Sequence, residues 1–488
     1  MLRNPEFLRN FWLEITLHRL VATPLILGAI YYLILFSDDN NESALLKTTI
    51  WVFFLLTGLW GGYQAENSVV TEIQNKTWPL QRLTSVNPWA MTWGKLFGST
   101  LFSWYAGLWS LLVFVLMLFL IPEADLFRYL RWDSHGMESV VIKKWVLLSQ
   151  GIGPALLFIV GLALWSQAWG FLMGMYHLQN KESKSKRKSG FASIISIILL
   201  PTIIFSLLDP VWEPHGLHWY QWEFGQFWFG LVSLYIFLGW LITGIYLQMR
   251  RELQVPNPPW VWSAFMAFLL GYVMGFYQGE VNILLTVPDL WSMRLFSGWI
   301  LMVSLTYLIL WWERTDGVGV RRLFHLWSSS RIYDALCEIP RWLVGLIVTW
   351  TTAIVLILIQ VMYGENPFIG KVLNQMASEP NNGDFYSLYG VVIAMMFFLM
   401  RDIALLLYFY FSDKPQRALT TTFVYWIVLY LLIPLLLGVA DIDTLNPVFL
   451  PGGSVNFVYA VLPPLLQAGL MWTFTIRRWR TRFGSPTV

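Results

Sequence analysis

Twelve apolar runs, each near 20 residues long, punctuate this chain, and no other feature leaves it so little choice of fold. A bilayer core about 30 Å thick takes roughly 20 helical residues to cross, and backbone amides inside it must be satisfied within the segment. The runs lie at about 17–36, 48–65, 97–121, 145–175, 190–208, 226–248, 260–279, 293–312, 342–363, 386–411, 420–440 and 454–475. They predict an all-α polytopic membrane protein with about 12 transmembrane helices. Composition agrees, since 57% of the 488 residues are hydrophobic and only 12% charged, against about 25% in an average soluble domain.

The basic residues orient the path. With the N-terminus in the cytoplasm, 24 of the 32 Lys and Arg fall on that side, seven fall opposite, and Arg401 lies within a span. This bias predicts that both termini are cytoplasmic. The run Lys181 to Lys188 and the tail Arg477, Arg478, Arg480, Arg482 are among them, while Asp38, Asp39, Glu42, Asp441 and Asp443 sit in expected outer loops. The net charge of +3 is dispersed among loops, which argues against nucleic acid as a partner. One cysteine, Cys337, excludes an intrachain disulfide framework and a cysteine-rich metal site. The first run lacks a small-residue cleavage site, so no cleavable leader is expected.

Residues 1–16 read as an amphipathic helix lying along the membrane surface. Asn4-Pro5 supplies a cap and a first-turn proline, and Phe7, Leu8, Phe11, Trp12 and Ile15 share one face. Glu6, Arg9, Asn10 and Glu14 lie largely away from it. The rest repeats: Glu66 follows the second run and Lys95 opens the third, and Glu313 and Arg341 do the same about 247 residues later. Two pseudo-symmetric six-helix halves are therefore expected, 17–248 and 260–475, joined by a cytoplasmic linker at 249–259 and followed by a basic tail at 476–488.

The polar stretch 66–96 is the first excursion of that repeat. The chain has no G-x-x-x-x-G-K-[ST] phosphate loop, since Gly94-Lys95 is followed by Leu96 and Gly370-Lys371 by Val372. Any nucleotide motor must be another chain gripping a rigid handle. The stretch offers Val70, Ile73 and Trp78 as apolar contacts and Glu72, Lys76 and Arg82 as polar ones, with Asn87-Pro88 opening the next helix.

The order Glu72, Thr77-Trp78, Leu80, Leu83-Thr84, Pro88, Gly94-Lys95-Leu96 resembles the cytoplasmic coupling loop of the ABC type-2 superfamily of ATP-binding cassette exporter permeases. The similarity covers about 66 to 100 and is architectural elsewhere; where the family usually has Gly before the Thr, this chain has Lys76. The resemblance implies a transport subunit rather than an enzyme, with a fused pair of six-helix permeases in one chain. It implies coupling through Glu66, Glu72, Lys76, Thr77, Trp78, Arg82 and Pro88 to two nucleotide-binding ATPase subunits, identical or a heteropair. Those partners, not this chain, would hold ATP and Mg. A bacterial cytoplasmic (inner) membrane is the implied location, with membrane lipid as the surrounding partner. The second excursion, 313–341, lacks the Thr-Trp and Pro spacing and carries Arg321-Arg322-Leu323 and Arg331, so unequal docking through Arg321 and Arg322 is expected. Short re-entrant helices are implied at "DPVWEPHGLHWYQWEFGQFWF" and "DIDTLNPVFLPGGSVNFVY", whose Trp and Tyr independently favour the headgroup zone.

Two polar sites remain. His215-x-x-His218 has no matched third ligand, so it reads as interfacial histidines and no metal is expected. Arg401-Asp402 lies inside the tenth run, where a lone charge costs about 2.5 to 3.5 kcal/mol, so the pair must face protein or water. At matching depth the fourth run holds Ser166-Gln167, and the two pairs suit a central pathway, a contact between halves, or structural packing. An ion- or proton-coupled carrier and a membrane-embedded lipid-modifying enzyme are the rival readings. Scarce intramembrane carboxylates argue against the first, and the lack of clustered acids or histidines at one membrane face against the second. No residue selects a substrate.

Overall fold

The structure, a computed structural model, describes residues 4–36, 41–83, 86–120, 152–179, 217–257, 260–276, 287–313, 317–363, 388–412, 417–440, 448–449 and 457–483. The chain divides into two compact units, Met1–Leu217 with Glu223–Asn257, and His218–Trp222 with Pro258–Val488. Nine helices among the described residues are long and apolar enough to cross a membrane. The expected run 260–279 corresponds to a shorter apolar helix, Trp260–Met274. The expected span 190–208, the Lys181 to Lys188 run, His215, Asp38, Asp39, Asp441 and Asp443 lie outside the described residues.

The first unit begins with α1 (Pro5–Glu14), α2 (Leu17–Leu35) and α3 (Asn41–Phe54). A π-helical turn, Leu55–Trp60, leads directly into α4 (Gly61–Gln74). The second span therefore runs unbroken from Ala44 to Glu72, past its expected end at 65. Polarity alone put the boundary at Glu66, but Ala65, Val69 and Glu66 are buried in the packed interior, which extends the helix. Next come α5 (Trp78–Arg82), α6 (Pro88–Ser99), α7 (Leu101–Leu120) and α8 (Gly153–Gln179). A short hairpin, β1 (Leu217–Trp219) and β2 (Trp222–Phe224), whose residues His218–Trp222 belong to the second unit, precedes α9 (Gln226–Glu252).

Helix α8 is the spine of this unit. Gly170 lets it approach α4 so closely that an added Cβ would stand 2.1 Å from the Gly62 carbonyl oxygen, and Gly174 repeats the contact one turn on at Glu66. Small residues at four-residue spacing are how membrane helices gain contact where lipid offers no hydrophobic drive. Around this seam Ala65, Val69, Trp78, Met91, Phe171 and Met175 form the core, joined from α9 by Ile245 and Met249.

The second unit comprises α10 (Trp260–Met274), α11 (Val287–Trp312), α12 (Gly317–Ser328), α13 (Ile332–Cys337), α14 (Arg341–Tyr363) and α15 (Leu388–Tyr410). Helix α16 (Ala418–Ile427) passes through a π-helical turn, Val428–Leu432, into α17 (Ile433–Val439), and α18 (Phe457–Phe483) ends the described chain. Burial identifies the centre: 72% of the span Gly390–Tyr410 is enclosed, against 6% of Ala418–Val439. Helix α15 packs along α18, and α11 along α14, where Gly345 and the facing hydroxyls of Thr306 and Thr349, 3.1 Å apart, close the crossing.

Candidate functional site

Helix α1 sets the geometry of the stretch 66–96. Its Asn4 cap accepts from the Glu6 amide at 3.1 Å, as the sequence predicts. The buried face is the unexpected part. Glu6, Phe7 and Asn10 pack on α6, while Leu8, Trp12 and Leu13 stay exposed. Gly94 and Gly98 make the approach possible, since a Cβ on either would stand 2.7 Å from the Cβ of Glu6 or Asn10. Asn4 donates to the Ala90 carbonyl at 2.6 Å and Asn10 to the Gly94 carbonyl at 3.3 Å.

Lys95 lies beneath this contact. Its ammonium donates to Glu72 Oε2 at 2.5 Å, stands 3.8 Å from Glu6 Oε2, and lies 5.3 Å from the centre of the Trp78 ring. Arg9 completes the network, bonding the other Glu72 oxygen and pairing with Glu6 at 3.2 Å. Burial lowers the Lys95 pKa below its ordinary value, while Glu72 and Glu6 pull it back up. Two acids and two bases thus tie α1, α4 and α6 into one brace. In Gly94-Lys95-Leu96, the glycine admits α1, the lysine ties the acids and Leu96 enters the core.

The other residues of the stretch divide into inside and outside. Glu66 and Trp78, read from sequence as contacts for a partner, are buried at 1% exposure. Glu72 is engaged in the brace. Lys76 is exposed and adopts φ 57°, the left-handed conformation that glycine favours, so the turn keeps its shape without the glycine. The Thr77 amide donates to the Glu72 carbonyl at 3.0 Å across it, and the Thr77 hydroxyl to the same oxygen at 3.2 Å, closing α4 in a Schellman turn. Replacing Lys76 with glycine is expected to raise stability by up to about 1 kcal/mol by relieving the Cβ clash; thermal unfolding in detergent measures it. Leu80 and Leu83 remain outside, 65% and 84% exposed on and just after α5. Pro88 opens α6 behind Asn87, whose side chain accepts from the Trp89 amide at 3.0 Å. Thr84 and the side chains of Ile73 and Arg82 lie outside the described residues.

Ser166 and Gln167 face the π-helical turn of the second span. Widening that turn frees carbonyls from the helical ladder, and the two side chains claim them: Ser166 donates to Gly58 O and Gln167 to Thr57 O, both at 2.7 Å. The Trp104 indole donates to Gln167 Oε1 at 2.9 Å. Nothing in the sequence marks a π turn, so these partners were not foreseeable.

Arg401 and Asp402 occupy the centre of the second unit, 3% and 0% exposed. Arg401 Nε and Nη2 donate to Asp402 Oδ1 at 3.1 and 3.0 Å, and Nη1 to Gln467 Oε1 at 2.7 Å. Asp402 Oδ2 accepts from Tyr307 at 2.9 Å and from Tyr430 at 2.5 Å. The guanidinium also lies 4.8 Å from the Phe398 ring centre and 5.0 Å from that of Tyr430. Tyr430 projects from the second π-helical turn. Both oxygens of the acid are thus occupied by donors, which offsets the cost of holding an ion pair away from water.

Away from these clusters, Arg321 and Arg322 are exposed on α12, Arg322 pairing with Glu338 at 3.1 Å. His218 is exposed on the hairpin. The long apolar helices and enclosed polar centres define the class: an all-α polytopic integral membrane protein. No protein-family model matches the chain, nor does any curated protein or solved structure.

Proposed function

We propose that this chain is the permease subunit of an ABC exporter, a fused pair of six-helix halves whose twelve spans form a translocation pathway driven by ATPase subunits supplied in trans. The observation that carries the reading is the tip of the 66–96 stretch. Leu80 and Leu83 project as an apolar knob, and the Lys95–Glu72–Arg9 brace gives that knob a rigid base. A motor needs this combination, because force applied to a loose loop is lost in the loop. ATP binding would close the two motors, press on 66–96 and, unequally, on 313–341, and open the path outward. The setting is a bacterial cytoplasmic membrane, and neither cofactor nor catalytic residue is required of this chain.

The test is co-expression with nucleotide-binding ATPase subunits of the same cell. Stable co-purification and an altered ATPase rate in lipid nanodiscs are expected. Leu80→Asp with Leu83→Asp should weaken the association about 30-fold, the effect of losing a contact worth roughly 2 kcal/mol, while the thermal unfolding midpoint stays in place. Absence of both association and ATPase change would sink the reading. A proton-coupled carrier, the rival, requires an acid free to exchange a proton, and Asp402 already accepts from Arg401, Tyr307 and Tyr430.

A further inference from the structure

Helix α12 shares one sequence segment with the expected motor contacts, yet its chemistry fits another occupant. It begins at Gly317, five residues after α11 ends at Trp312. Five residues reach at most about 18 Å, so α12 starts close to the end of a membrane-crossing helix. It is tied to the last turns of α18: the Trp479 indole donates to the Gly317 carbonyl at 3.3 Å, and the Trp479 ring stands 5.7 Å from that of Phe324, which is still 60% exposed. Only α13 separates α12 from Arg341, where the next span starts.

The faces of α12 are unequal. Phe324 and Trp327, each 60% exposed, share the apolar side with Val320 and Leu323, and Arg321 and Arg322 are exposed on the other side of the helix, to either side of Val318. An apolar face ending in Trp and flanked by arginines matches the boundary of an anionic leaflet, with acyl chains on one side and phosphates on the other.

We propose that α12 lies in the headgroup layer of the membrane, burying Phe324 and Trp327 among acyl chains and setting Arg321 and Arg322 against anionic lipid phosphates. This rests on and deepens the exporter reading, because lipid holding α12 accounts for the weaker motor contact at 313–341 than at 66–96. The lipid contact itself does not depend on a motor being present.

The full-length protein carrying Cys337→Ser provides the background for the test. An environment-sensitive dye is attached at Phe324→Cys, Trp327→Cys or His325→Cys in nanodiscs of phosphatidylcholine, with or without phosphatidylglycerol. At 324 and 327 the dye should be quenched by lipid-borne quencher and shielded from iodide; at 325 the pattern should reverse. With phosphatidylglycerol present, Arg321→Gln and Arg322→Gln should each reduce the membrane-bound to free ratio of α12 about fivefold, the equivalent of roughly 1 kcal/mol per basic residue at an anionic surface. Iodide access at 324 and 327 in both lipids would overturn the proposal. So would shielding that develops only after the ATPase subunit is added, which would make this face a protein dock. Because the labels are read without a motor, failure of motor association leaves the lipid result standing.

Discussion

Replacing Asp402 with alanine is expected to destabilise the second unit by about 3 to 5 kcal/mol, the cost of leaving a buried charge without its partner. The orphaned ion is Arg401, whose Nε and Nη2 would lose their acceptor while its surroundings stay closed to water. Tyr307 and Tyr430 would lose the same acceptor, so three elements loosen together: α11, the π turn after α16, and α15 itself. Asp402→Asn should cost less, because the amide oxygen can still accept a hydrogen bond. The double change Arg401→Leu with Asp402→Leu should recover much of the loss, since it removes both charges. Thermal unfolding in detergent ranks the three variants. If the single and double changes prove equally mild, the cluster is not holding the unit together. The exporter reading adds a second measurement: if Asp402→Asn leaves transport and ATPase coupling unchanged, the pair has no part in the pathway.

The second large effect is expected at Gly170. An alanine there would place its Cβ 2.1 Å from the Gly62 carbonyl oxygen, and backbone, unlike a flexible side chain, has no rotamer by which to move aside. The α4–α8 seam must then open along its length, carrying with it the Gly174–Glu66 contact and the core around Phe171. A loss of about 3 kcal/mol, at the high end for overpacking, is expected. Gly239 on α9 is the control, because an added Cβ there meets nothing within 4 Å. Gly239→Ala should be neutral or raise stability by up to about 1 kcal/mol through helix propensity alone. Equal unfolding midpoints for the two variants would refute the close approach.

Features bound to the solvent or to a few neighbouring residues could be read in advance. The caps at Asn4 and Asn87 are local, and each is found where its Asn-Pro pair predicts. Arg401 and Asp402 avoid lipid as the cost of a charge in a bilayer requires. Their partners were not legible, since Tyr307, Tyr430 and Gln467 lie 95, 28 and 66 residues from the groups they bond. Trp78 misled for a related reason: a Trp in a polar stretch suggests a surface contact, but Lys95, 17 positions on, sits over its ring and draws both inside. What α1 packs on was not legible, since its side toward protein is polar, built from Glu6 and Asn10 against glycines, while the apolar Leu8 and Trp12 stay exposed.

The succession of apolar runs by itself determined that this chain enters a membrane as helices, because hydrocarbon leaves the backbone few other ways to satisfy its amides. Tertiary structure alone decided which helices touch, where Leu55–Trp60 and Val428–Leu432 widen into π turns, and which charges meet. Lipid is as apolar as leucine, so hydrophobicity cannot rank one helix pairing above another. That choice rests on the fit of glycines such as Gly170 and on hydrogen bonds between residues far apart in the chain.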